Sequence, residues 1–127
     1  MFATDTNTLI YYFKGVGNVG QRLLATHPQD FAIPSVVLYE LEVGTAHSTV
    51  RREALDAIVR VSRILPFDGA AARPAAVIRN ELAKKGQRIG PLDMLIAATA
   101  SAHGATLITH NTAEFSRVPG LLIEDWI

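Results

Sequence analysis

Hydrophobic positions along this chain fall into short continuous runs and into longer stretches with helical spacing, which predicts two kinds of element. The short runs predict strands near residues 2–4, Phe31 to Ile33, Ile64 to Pro66, Ala105 to Thr109 and Leu121 to Glu124. The longer stretches predict helices over Thr8 to Lys14, Val19 to Thr26, Val36 to Ala46, Thr49 to Arg63, 68–85 and 91–103. Strands that alternate with helices predict an α/β fold, here a three-layer α/β/α sandwich around a parallel sheet of four to five strands.

Cap residues and prolines set several of these boundaries. Ser35 is predicted to cap the helix that follows it, and Pro91 is expected at the first position of its helix, where its missing N–H costs nothing. Asp68 is a candidate cap for the helix over 68–85. Pro74 lies inside that helix, so the helix is expected either to start late or to kink at Pro74.

The bulk composition bounds the class of protein. The chain has 127 residues, of which 49% are hydrophobic and 19% charged, as expected for one globular domain over residues 1–127. It has no cysteine, which excludes a disulfide framework and a thiolate metal site. The first residues lack the pattern of a signal peptide, and polar residues interrupt the long apolar stretch from Pro91 to Thr109. We therefore expect a cytoplasmic protein with no membrane partner.

Basic residues are unevenly distributed, although the formal net charge is zero. Residues 51–90 hold nine of the twelve Lys and Arg residues against four acids, whereas residues 1–50 and 91–127 have an excess of acids. This distribution predicts a basic rim beside an acidic pocket. Most of these residues are better explained as solvated helix faces, but Lys84, Lys85 and Arg88 are candidates for binding substrate phosphates.

Four polar residues at the ends of elements indicate a functional site. Asp5 and Asn111 follow predicted strands, and open α/β sheets bind ligands beyond the carboxyl ends of their strands. Glu40 lies near the start of the helix after the second strand, which is at the same edge. The helix of Asp93 precedes the strand Ala105 to Thr109 and must run antiparallel to it, so its start is at this edge too. We therefore expect these four residues to be neighbours.

Clustered oxygen ligands of this kind predict a divalent-metal site. Carboxylates held close together repel one another, a cation relieves the repulsion, and an oxygen-only set suits Mg²⁺ or Mn²⁺. Such an ion orients a phosphodiester, neutralises developing charge and activates water. We expect Asp5 and Asp93 to contact the metal directly. Glu40 and Asn111 are expected to be outer ligands or to act through water. The auxiliary candidates are Asn7, Thr109 and Glu114.

Each of these residues also has a purely structural explanation. Asp5 or Asn7 would cap the following helix, and Asp93 would interact favourably with the dipole of its own helix. Glu40 would be a solvated helix acid, and Asn111 a turn residue. The helix of Asp93 is otherwise nearly all apolar, which favours a functional role for that carboxylate. For the set as a whole, the shared sheet edge favours the functional explanation.

Several stretches of the sequence resemble PIN-domain ribonucleases, specifically VapC-type toxins of bacterial toxin–antitoxin pairs. They are Asp5-Thr6-Asn7, Pro34 through Leu41, Ile89 through Ala97, Thr109 through Phe115, and Arg117 through Trp126. The Ile-Gly-Pro-Leu-Asp block that ends at Asp93 is quite specific, and the similarity spans essentially the whole chain.

The resemblance implies RNA cleavage that depends on Mg²⁺ or Mn²⁺, a homodimer, and neutralisation by a cognate VapB-type antitoxin. It matches Asp5, Glu40 and Asp93 to acidic residues of the family, and it places Asn111 where many members have Asp. Relatives with this pattern cut initiator tRNA in the anticodon loop. The resemblance therefore implies tRNA as the substrate and inhibition of translation as the consequence.

Two other functions remain as alternatives. A haloacid-dehalogenase-like phosphatase also has an Asp after its first strand, but it needs a second Asp two residues later, where this chain has Asn7. A non-catalytic PIN-like protein-binding module would contain only a relic of the site. Mg²⁺ binding that is lost on replacement of Asp93 would argue against such a relic.

Overall fold

Five short strands form the centre of the computed structural model, which describes residues 1–127. The strands are β1 (Phe2–Thr4), β2 (Phe31–Pro34), β3 (Arg63–Leu65), β4 (Thr106–Ile108) and β5 (Ile123–Glu124). Their order across the sheet is β3-β2-β1-β4-β5, and every neighbouring pair is parallel. The predicted parallel α/β sheet is confirmed, and all five predicted strands are present.

Seven α-helices connect the strands. They are α1 (Thr6–Lys14), α2 (Val19–Leu24), α3 (Ser35–Thr45), α4 (Thr49–Val61), α5 (Gly69–Lys84), α6 (Pro91–Ala102) and α7 (Thr112–Phe115). The first six were predicted, with boundaries that differ by at most two residues. A 3₁₀ turn at Pro28–Asp30 and helix α7 were not predicted, because one helical turn is too short to show a hydrophobic period.

The start of α3 differs from the prediction. Pro34 occupies the N-cap position, and no side chain caps this helix. Ser35 is instead the first helical residue, and its Oγ accepts a hydrogen bond from the backbone N–H of Phe67 at 3.2 Å. The predicted capping role of Ser35 is therefore wrong, because its hydroxyl bonds to the segment after β3 rather than to its own helix.

Helix α5 begins at Gly69 and contains Pro74 as an internal residue, so the prediction of a late start is wrong. Asp68 does occupy the N-cap position, but its side chain makes no capping hydrogen bond. Its backbone carbonyl accepts from the N–H groups of Ala71 and Ala72 at 3.0 and 2.7 Å, which satisfies the first turn before Pro74 is reached. Helix α6 begins at Pro91 as predicted.

Helices cover both faces of the sheet. All four residues of β2 are buried, as are all but the first residues of β1 and β4. Successive strand residues point to opposite faces, so continuous burial requires packing on both sides. This confirms the three-layer arrangement. None of the helices combines the length and apolarity that a membrane crossing requires.

The strand order also locates the site. The chain adds β2 and β3 on one side of β1 and then returns to add β4 and β5 on the other side. The carboxyl ends of β1 and β4 therefore border the crevice at which open α/β sheets bind ligands.

Candidate active site

Asp5 lies directly after β1, and its side chain is fixed from two directions. The residue is only 4% exposed. Its Oδ1 accepts a hydrogen bond from the backbone N–H of Thr8 at 2.9 Å, which makes Asp5 the N-cap of α1. Its Oδ2 accepts from Oγ1 of Thr109, just beyond β4, at 2.6 Å. The structural explanation for Asp5 is thus correct as far as capping goes, but the second bond also places this carboxylate at the β1–β4 crevice.

Glu40 lies in the second turn of α3 and is half-buried. Its Oε1 accepts a hydrogen bond from Oγ1 of Thr6 at 2.7 Å. Thr6 was not among the predicted site residues, and the pattern of the sequence alone does not single it out. Because Thr6 follows Asp5 directly, this bond holds the Glu40 carboxylate at the end of α1 that carries Asp5.

Asp93 is the third residue of α6 and is half-buried. Its pKa is raised from 3.8 to about 6, first by burial and then by repulsion from Glu114, Asp5 and Glu40. Repulsion from three acids requires that they lie near Asp93. We call Asp5, Glu40, Asp93 and Glu114 the acidic cluster. The structure therefore brings together the three predicted carboxylates, and it adds a fourth.

Glu114, expected only as an auxiliary residue, is the fourth acid. Its Oε1 accepts from the backbone N–H of Gly90 at 2.7 Å, and its Oε2 accepts from Nδ2 of Asn111 at 2.9 Å. These two bonds, first the one from Gly90, lower the pKa of the Glu114 carboxyl. Gly90 also lies close to Asp93, since a Cβ on Gly90 would be 3.4 Å from Oδ2 of Asp93. The turn before α6 thus bridges Glu114 and Asp93.

Asn111 is exposed, and its side-chain amide donates a hydrogen bond to Oε2 of Glu114. Glu114, rather than Asn111, is therefore the fourth member of the cluster. The backbone N–H of Asn111 donates to Oγ1 of Thr109 at 3.0 Å, so Thr109 connects Asn111 with Asp5. Asn111 therefore borders the cluster and positions Glu114. The spacing of three residues between Asn111 and Glu114 was the available sequence signal, because residues three apart lie on one face of a helical turn.

The remaining predicted residues are placed differently. Asn7 is exposed on α1, and its side chain makes no hydrogen bond. Lys84 and Lys85 are exposed at the end of α5, and Arg88 is exposed in the loop that leads to Gly90. The carbonyl of Arg88 accepts a hydrogen bond from Nη1 of Arg117 at 2.9 Å, and none of the three cationic side chains is itself hydrogen-bonded. These three cations are therefore available to solvent near the Gly90 turn.

The donor set fits a hard divalent cation. No three Asp, Glu or His side chains converge closely enough to chelate a metal by themselves. Mg²⁺ does not need such a cage, since it keeps several waters and binds through one or two carboxylates. Burial and then repulsion from the other acids raise the pKa of Asp93, and a bound cation would relieve the repulsion. All donors here are oxygen atoms, as Mg²⁺ and Mn²⁺ prefer.

The chain belongs to the PIN domain family, whose model matches residues 3–121. It is 37% identical over 129 residues to the tRNA(fMet)-specific endonuclease VapC of Salmonella typhimurium, covering 98% of this chain and 97% of that protein. It is 39% identical to the enzyme of the same name from Shigella flexneri, with the same coverage. Ribonuclease VapC2 of Rickettsia felis is 34% identical, covering 99% of this chain and 98% of that protein.

Solved structures agree with these similarities. The crystal structure of VapBC2 from Rickettsia felis bound to a promoter DNA fragment superposes with a TM-score of 0.90 at 33% identity, covering 99% of this chain and 98% of that chain. DNA-bound VapBC from Salmonella typhimurium also gives a TM-score of 0.90, at 34% identity and with the same coverage. The resemblance inferred from the sequence motifs is confirmed.

Proposed function

We propose that this protein is an endoribonuclease that depends on Mg²⁺ or Mn²⁺ and acts as the toxin of a VapBC-type pair. The observation that supports this most is the acidic cluster at the carboxyl ends of β1 and β4, where burial first and then the other three acids raise the pKa of Asp93. Similarity to VapC ribonucleases over nearly the whole chain supports the same reaction class.

In this proposal Asp5 and Asp93 hold the metal directly. Glu40 and Glu114 act through bound water, and Asn111 orients Glu114. The ion, when bound, would orient the scissile phosphodiester and activate water. Hydrogen bonds from within the protein fix most of the acids in advance, so little ordering is left for the moment of substrate binding.

We propose tRNA as the substrate, with the anticodon loop of initiator tRNA as the cleavage site and inhibition of translation as the consequence. The support is that the relatives from Salmonella typhimurium and Shigella flexneri are tRNA(fMet)-specific endonucleases. Incubation of purified protein with total tRNA and Mg²⁺, followed by sequencing of the RNA ends, tests the proposal. We expect one dominant cut that excess EDTA stops and Mn²⁺ restores. Full activity in EDTA would contradict metal dependence, and intact tRNA after incubation with folded protein would contradict the ribonuclease.

The exposed cations Lys84, Lys85 and Arg88 are proposed to bind substrate phosphates beside the acidic cluster. Their joint replacement by Ala should weaken RNA binding and flatten its dependence on salt, since fewer counterions are released. The slope of log affinity against log salt should fall by about 2, at about 0.7 per cation for single-stranded RNA. Ala replacements of Arg60 and Arg63, exposed cations at the end of α4 and the start of β3, are the control. An unchanged slope would mean that the three cations are solvated surface residues that do not contact RNA.

A VapB-type antitoxin is the proposed partner, supported by the VapBC complexes among the similar structures. A cation on its tail would enter the acidic cluster, because a guanidinium pairs bidentately with a carboxylate. Flanking apolar residues would cover Tyr39 and Val43 on α3, which are 60% and 63% exposed. Such a tail would be disordered when free and fold on binding.

Co-expression with the small protein encoded beside this chain tests the mechanism of neutralisation. Replacing the Arg of its tail with Ala should restore RNA cleavage, and a Lys replacement should restore it only in part. Full inhibition by the Ala variant, with normal Mg²⁺ binding in the complex, would show that the antitoxin blocks RNA elsewhere.

We also propose that the protein is a homodimer. Light scattering on the purified chain tests this proposal, and a monomer at micromolar concentration would contradict it.

A further inference from the structure

A cavity opens beside the acidic cluster, between α1, α3 and the start of α4. We call it the α1–α3 groove and define it by Ile10, Phe13, Lys14, Glu40, Gly44 and Arg51. Its volume is about 240 Å³. That is smaller than the roughly 300–1,000 Å³ of pockets for drug-sized ligands, and it suits a single flat ring system. Because Glu40 belongs both to the groove and to the acidic cluster, the two sites are continuous.

One face of α1 connects the cluster with the far end of the groove. Thr6, which bonds Glu40, is followed at helical spacing by Ile10 and then by Phe13 and Lys14. The face thus changes from polar at the cluster to apolar and then to cationic. Lys14 lies nine residues beyond Asp5, which is about 13 Å along the helix. A ligand that fills the groove therefore lies next to the acids rather than on them.

The cations at the rim of the groove have no acidic partner. The ion pairs of the structure are Arg22–Glu124, Arg52–Glu42 and His110–Asp125, and neither Lys14 nor Arg51 takes part in one. The contrast with Arg52, one residue along α4 and bonded to Glu42 at 2.8 Å, is informative. Two free cations above an apolar floor complement a ligand with anionic groups on both sides of a flat, weakly polar ring.

We infer that the α1–α3 groove binds one nucleotide of the RNA substrate, next to the nucleotide that is cut. The base lies against Ile10 and Phe13, and its flanking phosphates contact Lys14 and Arg51. The inference rests on the proposed ribonuclease function and adds to it a second basic contact, separate from Lys84, Lys85 and Arg88. The groove would then fix the register of the RNA strand relative to the acidic cluster.

Gly44 offers a way to close the groove without disturbing the fold. A Cβ on Gly44 would meet no atom within 4 Å, and the residue is in the last turn of α3, where Leu has a higher helix propensity than Gly. Gly44→Leu should therefore fold and project its side chain into the groove. Gly44→Ala is the matched control, because it makes the same backbone change with too little bulk to fill the space.

The test measures binding by fluorescence anisotropy in EDTA. The probes are a fluorescein-labelled 12-nucleotide oligouridylate and an oligomer of the same length made of abasic residues. The unmodified protein and Gly44→Ala should prefer the base-containing probe by roughly 5- to 100-fold, the range for one base stacked on an aromatic side chain. Gly44→Leu should lose this preference. Lys14→Ala/Arg51→Ala should weaken the binding of both probes and lower the slope of log affinity against log salt by about 1.4. Arg60→Ala should lower this slope by less than half as much.

Several results would overturn the groove while leaving the ribonuclease intact. One is a Gly44→Leu protein that keeps the full preference and still cuts tRNA in Mg²⁺. Another is an unchanged salt slope for the double variant. A third is a Gly44→Leu protein with normal RNA binding that escapes its antitoxin, which would assign the groove to a protein partner. Failure of the proposed function has a different signature, which is an unmodified protein that binds RNA through the groove but never cuts it.

Discussion

Replacing Asp93 by Asn is expected to reduce RNA cleavage by at least about 100-fold while the protein stays folded, because the cluster loses a carboxylate that we propose as a direct metal ligand. Mg²⁺ affinity, measured by calorimetry, should fall together with the cleavage rate. Asp30→Asn, which removes an exposed acid directly before β2, at the edge of the sheet opposite the cluster, is the control and should change neither. Undiminished cleavage by folded Asp93→Asn would remove Asp93 from the site. Metal binding without any cleavage by the unmodified protein would favour the non-catalytic module instead.

The same substitution should change the pH dependence of stability. The pKa of Asp93 is about 6 in the folded protein against an ordinary value of 3.8, so the folded state binds more protons than the unfolded state between these values. The free energy of unfolding therefore falls as pH rises from about 4 to about 6. In Asp93→Asn this contribution to the decrease is absent, because Asn does not ionise. Denaturation in EDTA measures the free energy of unfolding of both proteins. The value for the variant should rise relative to that of the unmodified protein from pH 4 to pH 6, with no difference at pH 3.5. A constant difference at all pH values would mean that the Asp93 charge is not destabilising.

Replacing Glu114 by Gln is expected to have the second largest effect, a loss of about 10- to 100-fold in Mg²⁺ affinity and in cleavage. Glu114 is the acid with the largest influence on the pKa of Asp93, so its removal should also bring that pKa down. The variant keeps an oxygen to accept from the N–H of Gly90, which preserves the turn before α6. NMR titration of the Asp93 carboxyl and single-turnover cleavage measure the two consequences.

Asn111→Ala separates the two candidates for the fourth position. It removes one hydrogen bond to Glu114 but no charge, so its effect should be smaller than that of Glu114→Gln and should stay below about 10-fold. If Asn111→Ala were the more damaging change, Asn111 rather than Glu114 would act on the metal or the substrate. Equal and small effects of both variants would confine the chemistry to Asp5, Glu40 and Asp93.

The sequence was weakest where contacts cross large separations along the chain. The bond from Thr109 to Asp5 joins residues 104 positions apart, and the bond from Thr6 to Glu40 joins residues 34 apart. Neither hydroxyl has a local signature, since a threonine after a strand or at the start of a helix is common in any α/β protein. The choice of Ser35 as a cap was wrong for the same reason, because its hydrogen-bond partner, Phe67, is distant in sequence.

The fourth acid shows a different limit. Asn111 was favoured because it follows β4 directly, and strand ends point to the crevice. Helix α7 is a single turn, so no periodic pattern indicated that the chain turns back after Asn111 and presents Glu114 to Gly90. The priority given to Asn111 came from position alone, whereas the pairing with Gly90 depends on how α6 is packed.

The sequence by itself determined the elements and the kind of chemistry. Hydrophobic runs bounded by polar residues defined the strands, Pro91 defined the start of α6, and acids at element ends indicated an oxygen-ligand site. Only the tertiary structure decided which residues meet, because the strand order β3-β2-β1-β4-β5 is set by packing of whole layers. That order places Asp5 against Thr109 and brings Glu114 to Asp93, through contacts between segments whose local patterns are independent of one another.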